Sequence, residues 1–413
     1  MWWFDRKDAL FLVAQLASFI ASLGLVVVLT RFLSPHDYVD YALVTAGIGF
    51  LVPLSSAGLA PFVIRQYRNG ANRYYDLRFA VSATFMVSTG LTLVAVVVGW
   101  LFGLVDRSPA ETAVIALLIP LTALLIVANG LYRAERRAGA FFMAGSGQRL
   151  ILLGVLLPLF LLIPALRTVM GYLLAAQAAA LITLGVLRLR VFPPHEPGKT
   201  RDLQSVRLAL AFSVPMALAN CASMAQPFFE RILLKDTFDA VSVGQYVFNS
   251  DIAVKSLAMA SLAIKLIVFP KITTGEPEQE RRLFTKLARI SLMAVLPAYT
   301  VFLIGTFLYQ DIFRFMIGSE LYLNVTIFRI LGAYSVLVLL GYIFQIGLIL
   351  NGKTYYSLTS TVMSTLAHLA IVYSIGTRFG IEGVAVSLVI AQSLTVAVML
   401  WGCTSPARTS TFP

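Results

Sequence analysis

Long apolar runs alternate along this chain with short polar connections. Twelve runs predict membrane-spanning helices, at Ala9–Thr30, Tyr41–Ile64, Phe79–Leu104, Thr112–Leu131, Phe141–Ile163, Val169–Leu187, Leu208–Leu234, Val243–Pro270, Leu287–Leu308, Val325–Leu350, Tyr356–Thr377 and Ile381–Leu400. Each is about 20 residues or longer, enough for a helix rising about 1.5 Å per residue to cross a hydrocarbon core of about 30 Å. A backbone in lipid must satisfy its own hydrogen bonds, so the choices are helices or a closed barrel, and the runs lack the alternation of barrel strands. The expectation is an all-α polytopic membrane protein with about twelve transmembrane helices. The fifth run is the weakest: Gln148 and Arg149 interrupt it, and Gly145, Ser146 and Gly147 lower its helix propensity, so an eleven-span reading stays open here. Arg6 and Lys7 precede the first run, which is too long for a signal-peptide core and lacks a cleavage-like end, so it reads as a span.

Composition agrees with lipid as the solvent. Apolar residues make up 59% of the chain and charged residues 13%, about half the charged share of a soluble domain. A net charge of +12 on a soluble protein would suggest nucleic acid, but these basic residues sit in short loops and no nucleic-acid partner is expected. They report topology instead, because Lys and Arg accumulate on the cytoplasmic side of short loops. Alternating the loops places 22 of the 32 Lys and Arg inside, among them Arg65, Arg133, Arg149, Arg188, Lys271 and Lys353, against seven outside, with Lys255, Lys265 and Arg329 within spans or at their edges. Both termini are then cytoplasmic, and an even span count is favoured. Cys221 and Cys403, like His36, His195 and His368, are scattered in sequence, so no disulfide, metal site or cofactor is expected.

The longest polar connection, Arg188 to Arg207, contains Pro193, Pro194, Pro197 and Gly198, which stop a helix. It divides the chain into a six-helix lobe over 1–190, a cytoplasmic linker over 191–206 and a second six-helix lobe over 207–413. Arg31-Phe32-Leu33 followed by Tyr41 stands against Arg231-Ile232-Leu233 followed by Tyr246. Two halves of six spans share one orientation, so a pseudo-two-fold axis along the membrane normal is expected to relate them.

Several patches resemble the polysaccharide-biosynthesis flippase family. Thr30-Arg31-Phe32-Leu33-Ser34-Pro35-His36-Asp37-Tyr38 is similar to its pattern of Arg, an apolar pair, Gly or Ser, Pro, an acid and Tyr. Ala211-Phe212-Ser213-Val214-Pro215, Glu230-Arg231-Ile232-Leu233-Leu234 and Val243-Gly244-Gln245-Tyr246 resemble the start of its second half, and Phe379-Gly380-Ile381-Glu382-Gly383-Val384-Ala385 its end. Glu230 stands where that family often has Asp, keeping the charge on a longer arm. The resemblance implies the superfamily that also holds multidrug extruders and peptidoglycan-lipid flippases. It further implies alternating access in a bacterial inner (plasma) membrane, moving an undecaprenyl-diphosphate-linked oligosaccharide between leaflets for O-antigen, capsule or exopolysaccharide assembly. The implied partners are that anionic lipid, membrane lipids, H⁺ or Na⁺ as a coupling ion, and a polymerase or export machinery.

An ionisable group at the centre of a span costs about 2.5–3.5 kcal/mol on insertion scales and needs a partner or a polar cavity. The eighth run has three. At about 100° per residue, Asp251, Lys255 and Lys265 share one face, and Asp251 can pair with Lys255 four residues on. Moving a diphosphate through such a path calls for cations that replace its water. Lys255 and Lys265 are the first candidates, followed by Arg31, Arg65, Arg231 and Arg329 nearer span ends, where snorkelling to headgroups is the plainer reading. Asn249 and Gln15 are polar candidates for the same path, and helix-to-helix hydrogen bonding is their plainer role. Asp251 and Glu230 are candidates for ion coupling, against a permanent ion pair for Asp251. Two rival functions remain: an ion-coupled drug or metabolite antiporter of the same superfamily, and a membrane polymerase or ligase. The second lacks a sizeable loop, a Gly-rich phosphate loop or a nucleophile-plus-His spacing, so no enzyme is expected.

Overall fold

The structure, a computed structural model, describes residues 6–56, 59–60, 74–101, 108–135, 137–187, 203–263, 323–350, 354–374 and 376–404, with scattered positions between 285 and 311. The helices are α1 (Arg6–Phe32), α2 (Pro35–Ser56), α3 (Tyr74–Leu101), α4 (Pro109–Ala134), α5 (Ala138–Phe142), α6 (Gln148–Leu162), α7 (Val169–Leu187), α8 (Leu203–Thr237), α9 (Ala240–Ala263), α10 (Val325–Leu350), α11 (Thr354–Ser374) and α12 (Gly380–Thr404). There is no strand among the described residues. Seven stretches are long and apolar enough to cross a membrane, including Val13–Phe32, Pro109–Ala134 and Gly380–Thr404. The protein is therefore a multi-pass membrane protein. The described positions of the expected ninth span are helical, and half of that span lies outside the described residues.

The fifth span is continuous. A π-helical segment, Met143–Gly147, joins α5 to α6, so the run from Ala138 to Leu162 is one apolar rod. Gly145, Ser146 and Gly147 do not break it. They widen one turn, and a Cβ on Gly145 would sit 3.1 Å from Asn129 Nδ2 on α4. The expected linker over 191–206 lies outside the described residues up to 202, and α8 starts at Leu203, before the expected Leu208. The chain forms two compact units that divide within α8. Unit 1 comprises Met1–Val28 with Phe32–Met224, and unit 2 comprises Leu29–Arg31 with Ala225–Pro413.

Polar caps set where helices begin. Ser34 caps α2: the Asp37 amide donates to its Oγ at 3.1 Å, and its hydroxyl donates to the Asp37 carboxylate at 2.6 Å. Ser108 and Glu111 form a reciprocal capping box on α4, again with Pro at the first helical position. Asp239 caps α9 by accepting from the Val241 and Ser242 amides, both at 3.0 Å. The Ser-Pro-x-acid pattern is thus a helix start. In both halves a capped helix start precedes the matching tyrosine, because Tyr41 and Tyr246 each follow their cap residue, Ser34 and Asp239, by two turns.

Within unit 1, hydroxyls pin α3 to α2. Ser88 Oγ donates to the Ser55 carbonyl at 2.6 Å, and Ser55 Oγ lies 2.8 Å from Thr89 Oγ1. Tyr41 of α2 packs edge-on against Tyr172 of α7 at 4.6 Å. In unit 2, Phe344 and Leu348 of α10 pack with Met399 of α12, and Gln345 Nε2 donates to Ser357 Oγ of α11 at 2.9 Å. A short 3₁₀ turn, Gly376–Phe379, leads into α12 through Gly380, whose φ of 71° suits glycine.

A Cβ added to Gly130 of α4 would lie 2.7 Å from Ala60 Cβ and 2.8 Å from Ala60 Cα, backbone that cannot step aside cheaply. Gly130→Ala is expected to destabilise the protein by about 1–3 kcal/mol, whereas Gly154→Ala, with nothing within 4 Å, leaves stability unchanged; thermal melting in detergent compares the two. Hydrogen bonds, led by those from Ser242, hold the Asp239 carboxyl below the usual carboxylate range. Its stabilising effect is present above the ordinary value and lost as pH falls through the lowered one. Asp239→Ala is expected to cost about 1 kcal/mol at neutral pH and less in acid, as a pair of melts at the two pH values would show.

Candidate functional site

Helices α8, α9 and α11 are long enough to span a membrane, yet none is among the seven apolar stretches. Their polar residues converge in unit 2. Asp251 of α9 sits between two cations: its Oδ2 accepts from Lys255 Nζ at 2.8 Å, and its Oδ1 lies 3.6 Å from Arg231 Nη2 of α8. The sequence spacing anticipates the first contact. The second links residues 20 apart on neighbouring helices. Lys255 is the most accessible of the three, its side chain 36% exposed against 15% and 16% for Arg231 and Asp251.

Glu230 turns the other way. Its Oε2 lies 2.8 Å from His368 Nε2 of α11, and His368 Nδ1 lies 3.0 Å from Ser387 Oγ of α12. All three residues are buried. Because the Ser387 hydroxyl donates to the Val384 carbonyl at 2.6 Å, Nδ1 carries the proton that it offers to Ser387. Tyr246 of α9 and Tyr334 of α10 lie within electrostatic reach of Glu230.

The remaining sequence candidates are more dispersed. Arg329 of α10 is exposed, donates from Nε to Thr306 Oγ1 at 3.1 Å and stands over the Phe307 ring. Arg31 is exposed in the last turn of α1. Asn249 is fully buried and donates to the carbonyl of Gln245 on its own helix at 2.7 Å, while Gln15 is half-buried on α1. Arg65 and Lys265 lie outside the described residues.

Two features escape the sequence reading. His368 looks isolated in sequence because its partners are 138 and 19 positions away; a histidine in the middle of a polar-faced span was the available signal. Arg149, counted above with the cytoplasmic charges and within the fifth run, lies three turns inside the α5–α6 rod, about 16 Å from its start. In unit 1 its Nη1 donates to Ser18 Oγ at 2.5 Å, Ser22 Oγ at 3.0 Å and Ser18 O at 3.5 Å on α1. Ser146 Oγ of the π segment donates to the Ala14 carbonyl of the same helix. Ala14, Ser18 and Ser22 fall at successive i, i+4 positions, one face of α1.

Removing one partner of a buried pair leaves the other without compensation. His368→Leu is expected to lower stability by about 3 kcal/mol, and Glu230→Gln, which keeps a hydrogen-bonding group opposite Nε2, by less than half of that; detergent melting curves of the two variants test the order.

The chain matches the family described as "Polysaccharide biosynthesis protein" over residues 6–276. No curated protein sequence matches it. Among solved structures it is similar to the lipid II flippase MurJ in an inward closed conformation, at 15% identity and a TM-score of 0.68 over 96% of this chain and 88% of that one. It is also similar to the eukaryotic MATE transporter AtDTX14, at 13% identity and TM-score 0.65 over 97% and 96% of the two chains. An outward-facing multidrug resistance MATE family transporter of the MOP superfamily matches at 15% identity and TM-score 0.62, over 96% and 94%. These likenesses show the expected fold, an all-helical membrane protein of about twelve helices in two lobes. With the family match spanning well over half of its length, the chain belongs to the polysaccharide biosynthesis protein family.

Proposed function

We propose that this protein is an alternating-access flippase. It carries an undecaprenyl-diphosphate-linked oligosaccharide from the cytoplasmic to the periplasmic leaflet of a bacterial inner membrane, for assembly of O-antigen, capsule or exopolysaccharide. Both termini are cytoplasmic, and the lobes over 1–190 and 207–413 are joined by 191–206. Family membership and the likeness to a lipid II flippase support a lipid-linked cargo. The observation that carries the reading is the Arg231–Asp251–Lys255 cluster between α8 and α9. A cation paired this way can exchange its carboxylate for a phosphate oxygen without ever facing lipid unpaired. Lys255, the accessible member, is the residue that makes the exchange, with Arg231 beside it. Lys265, Arg65, Arg31, Arg329, Gln15 and Asn249 are secondary contacts along the path. Asp251, released when Lys255 takes the substrate, and Glu230, sharing a proton with His368, are the coupling groups for H⁺ or Na⁺.

A second reading, an ion-coupled drug or metabolite antiporter, is favoured by the same two carboxyl groups and by the likeness to MATE transporters. In a host lacking the gene, leaflet-resolved labelling of the lipid-linked glycan is expected to show accumulation on the cytoplasmic side. The wild-type gene reverses it, whereas Lys255→Ala restores under about a tenth of the flux, the scale of one lost charge-assisted contact. Drug resistance on expression without restored glycan would replace the flippase with the antiporter. Asp251→Asn is expected to alter how transport responds to pH or Na⁺; an unchanged response removes Asp251 from coupling.

A further inference from the structure

The cations of unit 2 share a carboxylate, since Arg231 and Lys255 both face Asp251. Arg149 in unit 1 has none among the described residues. Every hydrogen bond that it makes there leaves from Nη1, to Ser18 and Ser22. Its Nε and Nη2 donate to nothing among the described residues. Those two atoms form the edge of the guanidinium that takes two oxygens of one phosphate side by side. The serines are buried, whereas Arg149 keeps accessible surface.

The anchoring is directional. Ser22 Oγ donates its own proton to the Ser18 carbonyl at 2.8 Å, which leaves its lone pairs for Nη1. Both serines therefore act as acceptors toward Arg149 and carry no charge that would cancel it. Tyr172 and Tyr41 are within electrostatic reach. Three turns inside the rod, Arg149 lies beyond the terminal turns from which arginine reaches headgroups. An aligned, uncompensated guanidinium with a vacant fork suits a multivalent oxyanion.

We propose that Arg149, positioned by Ser18 and Ser22, is an anion subsite of unit 1 that binds the phosphate of a polyprenyl diphosphate bidentately. The inference rests on the flippase reading and adds a contact that the charged cluster of unit 2 does not supply. The phosphate of a bulk phospholipid has the same chemistry, so the two sources must be separated.

The test uses the full chain in nanodiscs of zwitterionic lipid, with binding of undecaprenyl diphosphate, undecaprenol and phosphatidylglycerol measured by native mass spectrometry. Undecaprenyl diphosphate is expected to bind wild type at least about tenfold more tightly than Arg149→Gln, the scale of one charge-assisted contact. Arg149→Lys, which keeps the charge but loses the fork, and the Ser18→Ala/Ser22→Ala pair are expected to fall between the two. Undecaprenol should bind all four alike, and melting temperatures confirm that each is folded. Equal affinity of wild type and Arg149→Gln for undecaprenyl diphosphate overturns the subsite and leaves the flippase reading intact. No binding of undecaprenyl diphosphate to wild type overturns both. Phosphatidylglycerol losing affinity as steeply as undecaprenyl diphosphate overturns the assignment to the polyprenyl cargo. If Arg149→Gln fails to fold, the comparison of Arg149→Lys with wild type decides, and equal affinity there again overturns the proposal.

Discussion

Lipid offers no hydrogen bonds, and every polar atom of this chain that enters the bilayer must find a partner in the protein. The simplest answer is local: Thr45, Thr92, Thr183, Ser335 and Thr361 each donate to a carbonyl four residues back on their own helix. A second answer ties helices together, as Ser364 Oγ does by reaching the Ala391 carbonyl of α12 at 3.0 Å. Charges need a third, because their desolvation is too costly for one neutral bond.

The two units meet the charge demand differently. Unit 2 uses opposites, with Glu230 against His368 and Asp251 against Arg231 and Lys255. Adjacent residues on α8 serve different networks, because a step of about 100° aims Glu230 at α11 and Arg231 at α9. One of these networks is wholly buried and the other partly accessible. Unit 1 answers with neutral serines around Arg149, which satisfies hydrogen bonds and leaves the charge standing.

Much of this was legible in the sequence because it depends on short-range spacing. Span length and the Asp251–Lys255 pair lie within one continuous run or four residues, whereas the helices capped by Ser34, Ser108 and Asp239 start three to six residues before the expected Tyr41, Thr112 and Val243. What stayed hidden depends on which helix packs against which. The bond from His368 to Glu230 crosses 138 positions and that from Arg149 to Ser18 crosses 131, and no local pattern encodes either. The glycine-rich stretch beside Gln148 and Arg149 reads as a weak span because its small residues lower helix propensity. In the structure those small residues form a wide helical turn.

That turn has an arithmetic consequence. A π-helical segment takes up one residue more than a regular helix would between the same two faces. The rod from Ala138 to Leu162 therefore carries a phase slip, and a helical wheel drawn with a single period through it misplaces the second half by about 100°. Tightening Met143–Gly147 to regular winding, with no residue changed, would swing Arg149 off the face of α1 and bring a neighbouring residue to Ser18 and Ser22. The aim of Arg149 is thus set by the winding of the five residues Met143–Gly147 upstream, and a length change of a single residue there acts on Arg149 as strongly as a substitution of Arg149 itself.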